Sequence, residues 1–360
     1  MCGRKQSGWY DRKLRRARDL SCGDTRIFVE FEIRRLHCRN CDAVKQEDIE
    51  WLADNPFYTK RFAYHVGRRC RTATIKDVAK EHLLDWHTIK ELEKQYMREQ
   101  IRRRGQPKPK VIGVDEISIR KGHTYRIVVS DLEKRRPIWF GGEDRSEKSM
   151  DKFYEFIGEK QSQKIRLAVM DMWKPFRNST SQKAPQAAIL FDKFHVLRHL
   201  GEALDKIRKQ EYARLDGKKR RFIKGQKYAL LSNRENLEGN AKKNLKILLA
   251  ANKRLNTAYL LKESFSQLWD YNSEPWARKF FDKWKAQLKW QRLKPYEKFS
   301  KMIDRHWDGI AAYCKPENKV ALGFVEGLNN KIRVIQRRAY GLRDEEYLKL
   351  KVLSCMLPEI

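Results

Sequence analysis

The chain has 360 residues and carries 80 Lys and Arg against 47 Asp and Glu, a formal charge of +33 at neutral pH. That excess points to a polyanionic partner bound with strong salt dependence, the alternative being a solvated lysine-rich surface. No run of 18 apolar residues occurs, and the basic first thirty residues have no apolar stretch, so neither a membrane span, a lipid-surface anchor nor a secretory leader is expected. With 41% hydrophobic residues the chain can bury sizeable cores in about two or three domains. Its seven cysteines, an odd and scattered set, argue for thiols or metal ligands over a disulfide framework.

Along the chain, residues 1–45 read as a small zinc-ribbon-like module. A strand from Arg26 to Ile33 is followed by His37-Cys38-Arg39-Asn40-Cys41, and a C-x-x-C knuckle after a strand is how ribbons hold half of a tetrahedral site. Cys2, Cys38 and Cys41 are the candidate Zn2+ ligands, with His37, Cys22 or Cys70 as the fourth; unrelated thiols are the alternative.

Residues 46–104 read as a helix-turn-helix. Thr74 and Asp77 form a capping-box-like start, Ile75, Val78, Ala79 and Leu83 keep helical spacing, and a break near Leu84-Asp85 precedes a second helix with Ile89, Leu92, Tyr96 and Met97 on its apolar side. That second helix would offer His87, Thr88, Lys90, Glu91 and Lys94 to the major groove. The turn lacks glycine, so an ordinary helical hairpin stays open. Arg102, Arg103 and Arg104 add positive charge, and residues 105–110, rich in Gly, Pro and Lys, read as a linker.

Beyond the linker the pattern becomes strand-like. Val111 to Ile119, Thr124 to Leu132 and Pro137 to Phe140 form an antiparallel meander. A helix from Lys148 to Gly158, a strand from Arg166 to Met170, a helix around Trp173 to Asn178 and a strand from Ala187 to Phe191 follow. The succession βββαβαβ is that of a ribonuclease-H-like α/β sheet. Residues 199–318 read as an all-helical insertion. Lys218, Lys219, Arg220 and Arg221 open a basic run there, while Trp276, Phe280, Trp284 and Leu288 step by four, a spacing that fits helix core better than a base-stacking platform.

Three carboxylates stand out. Asp115 ends the apolar run Val111-Ile112-Gly113-Val114, and Asp171 ends Leu167-Ala168-Val169-Met170; an acid in such a strand is costly unless it is paired or holds a metal. Acids at strand ends are where open α/β sheets place their sites. In residues 319–338, Ala321, Val325, Leu328, Ile332 and Ile335 mark a helix whose adjacent face carries Glu326, Asn330, Arg333 and Arg337, an acid followed by phosphate-binding groups or a solvated charged face. Phosphoryl transfer between nucleotides uses two divalent ions about 4 Å apart, and hard Mg2+ prefers carboxylate oxygens. Asp192 and His195 follow a strand: Asp192 either assists a metal or caps a helix, and His195 either contacts phosphate or water or simply packs. Glu116 should point to the opposite sheet face from Asp115.

The segments Val111-Ile112-Gly113-Val114-Asp115-Glu116, Val169-Met170-Asp171-Met172-Trp173, Phe191-Asp192-Lys193-Phe194-His195-Val196 and Phe324-Val325-Glu326-Gly327-Leu328-Asn329-Asn330-Lys331-Ile332 resemble those of the ISL-three family of bacterial insertion-sequence transposases, in the same order along nearly the whole chain. The resemblance implies a ribonuclease-H-like DDE catalytic domain, residues 111–198 and 319–360, interrupted by the helical insertion. It implies Asp115, Asp171 and Glu326 as ligands of two Mg2+ (or Mn2+) ions, and an amino-terminal zinc ribbon and helix-turn-helix that find terminal inverted repeats. The expected function is metal-dependent cleavage and strand transfer on double-stranded DNA by a cytoplasmic, nucleoid-associated homo-oligomer. A transposase-derived DNA-binding regulator and a ribonuclease-H-like nuclease are the competing readings; the three carboxylates speak against the first and a separate DNA-reading amino terminus against the second.

Overall fold

The computed structural model describes residues 8–38, 40, 42–120, 124–232, 234–339 and 342–360, without the side chains of residues 120, 219 and 234. The chain forms two compact units, Met1–Pro107 with Asn329–Ile360, and Lys108–Leu328. Elements are numbered along the chain.

Unit 1 opens with a three-stranded antiparallel sheet, β1 (Asp11–Arg18), β2 (Phe28–Cys38) and β3 (Ala43–Gln46), in that order. β1 has no apolar alternation, which is why hydrophobic patterning passes over it. Opposite charges across the β1–β2 ladder hold it instead: Arg12 lies 3.2 Å from Glu32, Arg16 lies 3.4 Å from Glu30, and Arg35 pairs with Asp11. β2 runs five residues past the expected Ile33 and ends at the buried Cys38.

Three helices follow: α1 (Lys60–Arg69), α2 (Ile75–His82) and α3 (Trp86–Arg104). The Thr74 hydroxyl accepts the Asp77 amide and caps α2 as its sequence suggests, and Asp85 caps α3. In place of the missing glycine, Leu83 takes the left-handed conformation with φ 52°, which closes α2 and turns the chain toward Asp85. α1, unmarked in the sequence reading, approaches α3 so closely that a Cβ on Gly67 would meet the Tyr96 ring at 2.2 Å.

The carboxyl-terminal helix α16 (Glu345–Ser354) belongs to unit 1, whereas residues 319–360 were expected to complete the catalytic domain. Its Tyr347 and Leu350 form one apolar cluster with Tyr96 and Met97 of α3. Beside that cluster Glu93 is 2% exposed, accepts from Tyr347 Oη and pairs with Lys351, which also donates to the Cys70 carbonyl at 3.2 Å.

Unit 2 is built on a five-stranded sheet ordered β6-β5-β4-β7-β8: β4 (Val111–Arg120), β5 (Thr124–Asp131), β6 (Arg136–Gly141), β7 (Leu167–Met170) and β8 (Ala188–Phe191). β4, β5 and β6 pair antiparallel; β4–β7 and β7–β8 pair parallel. These strands and the crossover helices α4 (Glu147–Ile157) and α6 (Lys174–Lys183) occur in the succession read from the sequence, with the four-residue α5 (Glu159–Ser162) between them. Strand alternation divides the β4 side chains between two layers. Ile112 and Val114 join Met150 and Phe153 of α4 and Phe176 of α6, while Val111 joins Leu167, Val169, Leu190 and Val325.

The helical region starts at Lys193, not near residue 199, with α7 (Lys193–Ala213). It continues through α8 (Gly217–Gly225), α9 (Lys227–Leu231), α10 (Gly239–Ala251), α11 (Lys253–Phe265), α12 (Glu274–Ala286), α13 (Lys294–Arg305) and α14 (Trp307–Ala311). Trp284, Tyr296, Phe265 and Phe281 fill its core, and the Trp284 indole donates to the Leu261 carbonyl at 2.9 Å. The stripe spaced by four is core at Trp284 and Leu288, but Trp276 at its start is 60% exposed. α15 (Gly323–Arg338) leads into the second part of unit 1.

Because Glu93 is fully buried, removing its cation strands a carboxylate in the core. Lys351→Met should therefore cost about 3–5 kcal/mol of unfolding free energy, and the double variant Glu93→Leu/Lys351→Met should recover much of that loss. Urea unfolding of the two variants beside the parent checks both values.

Candidate active site

Backbone register sets the site. Gly113 on β4 stands opposite Val169 on β7, so Asp115 and Asp171, each two residues further on, come level on adjacent parallel strands. Met170 stands opposite Phe191, the last residues of β7 and β8, so Asp171 and Asp192 each follow directly after paired strand ends. By alternation Asp115 falls on the layer of Val111, and the same alternation carried one residue past β7 and β8 puts Asp171 and Asp192 on that of Val169 and Leu190, whereas Glu116 falls on the other and pairs with Arg145 at 2.6 Å.

Glu326 reaches the same layer through packing. A Cβ on Gly113 would lie 2.9 Å from Val325 Cγ2, Leu132 Cδ2 and Ser130 Oγ, so the first turn of α15 rests on bare backbone two residues before Asp115. Glu326, next to Val325, is exposed on that turn. Its charge is felt at Asp192, whose carboxyl is pushed above its ordinary value first by burial and then by Asp171 and Glu326.

Asp115 accepts the Glu116 amide at 2.8 Å and Asp171 the Met172 amide at 2.6 Å. His195 Nδ1 lies 3.2 Å from Asp171 Oδ2, at ion-pair distance but outside hydrogen-bond alignment. Contact with Asp171 pushes His195 up to about 9 against its burial, with the charges of Asp171, Asp115 and Asp192 adding to the rise. Burial opposes the charge on Asp171, yet His195 and the Met172 amide hold its carboxyl below the ordinary range. Asp192 caps α7, accepting the Phe194 amide at 2.9 Å, as one of its two readings had it. Arg145 was not anticipated: besides Glu116 it stacks 4.4 Å from the Trp173 ring and 4.9 Å from Tyr125. It lies in a polar turn with no local signature.

The arrangement is a row of hard oxygen donors at a strand edge, suited to divalent cations. Among the described residues, only His65, Glu81 and His82 bring three metal-ligating atoms, two imidazole nitrogens and a carboxylate oxygen, within 4.8 Å of one another; Asp115, Asp171 and Glu326 are spaced more widely. Cys2 and Cys41 lie outside the described residues, so only Cys38 of that candidate set is seen.

Two family models match the chain: one for a transposase over residues 112–352, and one for the helix-turn-helix domain of transposase family ISL3 over residues 47–97. The chain belongs to the ISL3 family of DDE transposases. The transposase of insertion sequence element IS1001 from Bordetella parapertussis is 33% identical to it, over 98% of this chain and 86% of that protein. The transposase of element IS1557 from Mycobacterium tuberculosis is 27% identical over 96% of this chain and 83% of its own length. DNA is therefore the partner of this transposase and the helix-turn-helix its reading module, and no described helix is long and apolar enough to cross a membrane.

The helix-turn-helix match takes in α1, α2 and most of α3, and the structure corrects the choice of contact residues there. Lys94 is buried and lies 2.9 Å from Asp344 and 3.0 Å from Glu346; Lys90 lies 2.6 Å from Asp344. Both ammonium groups are spent on α16 and its cap, and neither is free for a phosphate. His87 and Glu91 stay exposed, Thr88 is half-buried, and Trp86 is 48% exposed at the helix start. Arg102 and Arg103 are exposed while pairing with Glu99 at 2.6 and 2.7 Å, and Arg104 is half-buried. Lys218, Arg220 and Arg221 are exposed on α8; the side chain of Lys219 is not among those described. Asn330, Arg333 and Arg337 are exposed on α15, where Arg333 donates to Asn330 at 3.1 Å.

Two outcomes follow from this geometry. Gly113→Ala should destabilise unit 2 by about 1–3 kcal/mol through overpacking against Val325 and Leu132, read by denaturation. Lys94→Met should lower thermal stability yet leave the slope of log DNA affinity against log salt unchanged, whereas loss of a phosphate-contacting lysine lowers that slope by about one.

Proposed function

We propose that this transposase has a ribonuclease-H-like catalytic domain in which Asp115, Asp171 and Glu326 hold two Mg2+ or Mn2+ ions, and that it cuts the terminal inverted repeats of its element and joins the freed 3′ hydroxyls to target DNA. The observation that carries the reading is the shared layer: Asp115 and Asp171 are level by strand register, and the Gly113 seat brings the turn bearing Glu326 onto the same side. The strand order β6-β5-β4-β7-β8, antiparallel then parallel, supports the fold.

The donor set fits the ions, being hard carboxylates beside a sheet edge. Bound there, such ions activate the attacking oxygen and neutralise the leaving one. The remaining work falls to the chain. Asp115 and Asp171 are held rigidly by the amides that follow them, and His195 orients the Asp171 oxygen it touches. Asp192 fixes the start of α7, from which His195 projects. Asn330, Arg333 and Arg337 continue the α15 face and contact phosphates, as do Lys218 to Arg221, Arg102 and Arg103. A cysteine site for Zn2+ at Cys38, with Cys2 and Cys41, completes the amino-terminal module, and a homo-oligomer brings two element ends together.

Two-ion assistance supplies several kcal/mol of barrier lowering, so Asp115→Asn, Asp171→Asn or Glu326→Gln should each reduce Mg2+-dependent cleavage of labelled element ends by about a thousandfold or more. Binding to the same ends should persist and fall steeply with salt. Near-parental cleavage by any one variant removes that residue from the site, and binding without cleavage by the parent favours the regulator reading.

A further inference from the structure

Three side chains of unit 1 that the proposed chemistry leaves unused meet between α1 and α2. His65 projects from α1, Glu81 and His82 end α2, and one donor atom of each lies within 4.8 Å of the other two. His82 Nε2 is 3.8 Å from Glu81 Oε1, and the two imidazole rings cross at 85° with centroids 5.4 Å apart.

His82 is 8% exposed, and its Nε2 is buried without a hydrogen-bond partner. Leaving such a nitrogen unsatisfied is unfavourable, and an apolar ring there would avoid that penalty while keeping the edge contact with Phe62 at 5.5 Å. The nitrogen points into a cluster that already offers a second imidazole and a carboxylate. Arg69 donates to both Glu81 oxygens, to Oε1 at 3.0 Å and to Oε2 at 2.8 Å; it fixes the carboxylate in place, and a cation there shares that carboxylate with the guanidinium. Each imidazole would bind through its neutral nitrogen lone pair.

We propose that His65, Glu81 and His82 form a site for a zinc-class divalent cation, separate from both the sheet-edge acids and the amino-terminal cysteines. Two imidazoles and one carboxylate suit Zn2+ and leave a fourth position to water. The ion ties α1 to the last residue of α2, immediately before the left-handed Leu83 that turns the chain into α3. Occupancy therefore stiffens the turn that aims α3.

The test uses the full-length chain carrying Cys38→Ser, Cys41→Ser, Asp115→Asn, Asp171→Asn and Glu326→Gln, so that the other candidate metal sites are silent. Stripped of metal and titrated with Co2+, this protein should take up one equivalent, giving visible ligand-field bands of nitrogen and oxygen ligation without thiolate charge-transfer absorption. Displacement by Zn2+ should raise its melting temperature. Adding His65→Gln or, separately, Glu81→Gln should lower Zn2+ affinity more than about tenfold and abolish the thermal shift, while circular dichroism shows each variant folded. No cobalt bands, bands of thiolate type, or affinity unchanged in both variants would overturn the site.

Discussion

The seat of α15 at Gly113 is the contact on which the proposed catalytic edge depends. Two aspartates can be made level by strand pairing alone, because register fixes their height and alternation fixes their side. A third acid supplied by a helix has no such guarantee. It requires the helix to approach the sheet more closely than a side chain at that strand position permits, and the 2.9 Å approach of Val325 to the place of a Gly113 Cβ meets that need. The glycine inside an otherwise branched apolar strand thus weakens local strand propensity while allowing the close packing.

Gathering acids raises an electrostatic problem that the fold answers locally. Burial, and after it repulsion from Asp171 and Glu326, push the Asp192 carboxyl up, and His195, pushed up to about 9, sets a positive charge against Asp171. The histidine offsets part of the repulsion among these carboxylates. A divalent ion brings far more positive charge to the same oxygens and so relieves the same repulsion. That view gives the α7 cap and its first turn a role in shaping the edge even though neither is among the three acids.

Much of unit 2 was legible because its strands are short apolar runs closed by turn residues, and their order follows from spacing. Asp115 and Asp171 were visible as acids out of place in such runs. β1 was not visible: it has no apolar face, so patterning had nothing to register, and it is held by its backbone ladder to β2 with charge pairs across it. α16 was misplaced for a related reason. Its neighbours are some 250 positions away, and no local rule foretells that Tyr347 packs with Tyr96. Lys90 and Lys94 failed as contact candidates on the same account, since their partners Asp344 and Glu346 lie near the other end of the chain. The triad His65, Glu81 and His82 went unremarked because His65 is sixteen positions from the pair on α2.

A formal charge of +33 therefore describes the partner better than it describes the contacts. Net charge sums over all lysines and arginines, whereas a phosphate sees those whose charge is exposed. On α3 the distinction falls along the helix: Lys90 and Lys94 turn inward to the acids at α16, while Arg102 and Arg103 stay exposed at the far end with only Glu99 between them. The apolar seam of Tyr96, Met97, Tyr347 and Leu350 and the buried Glu93–Lys351 pair lie on that inward side as well. The side of α3 that faces α16 is thus committed to the fold of unit 1.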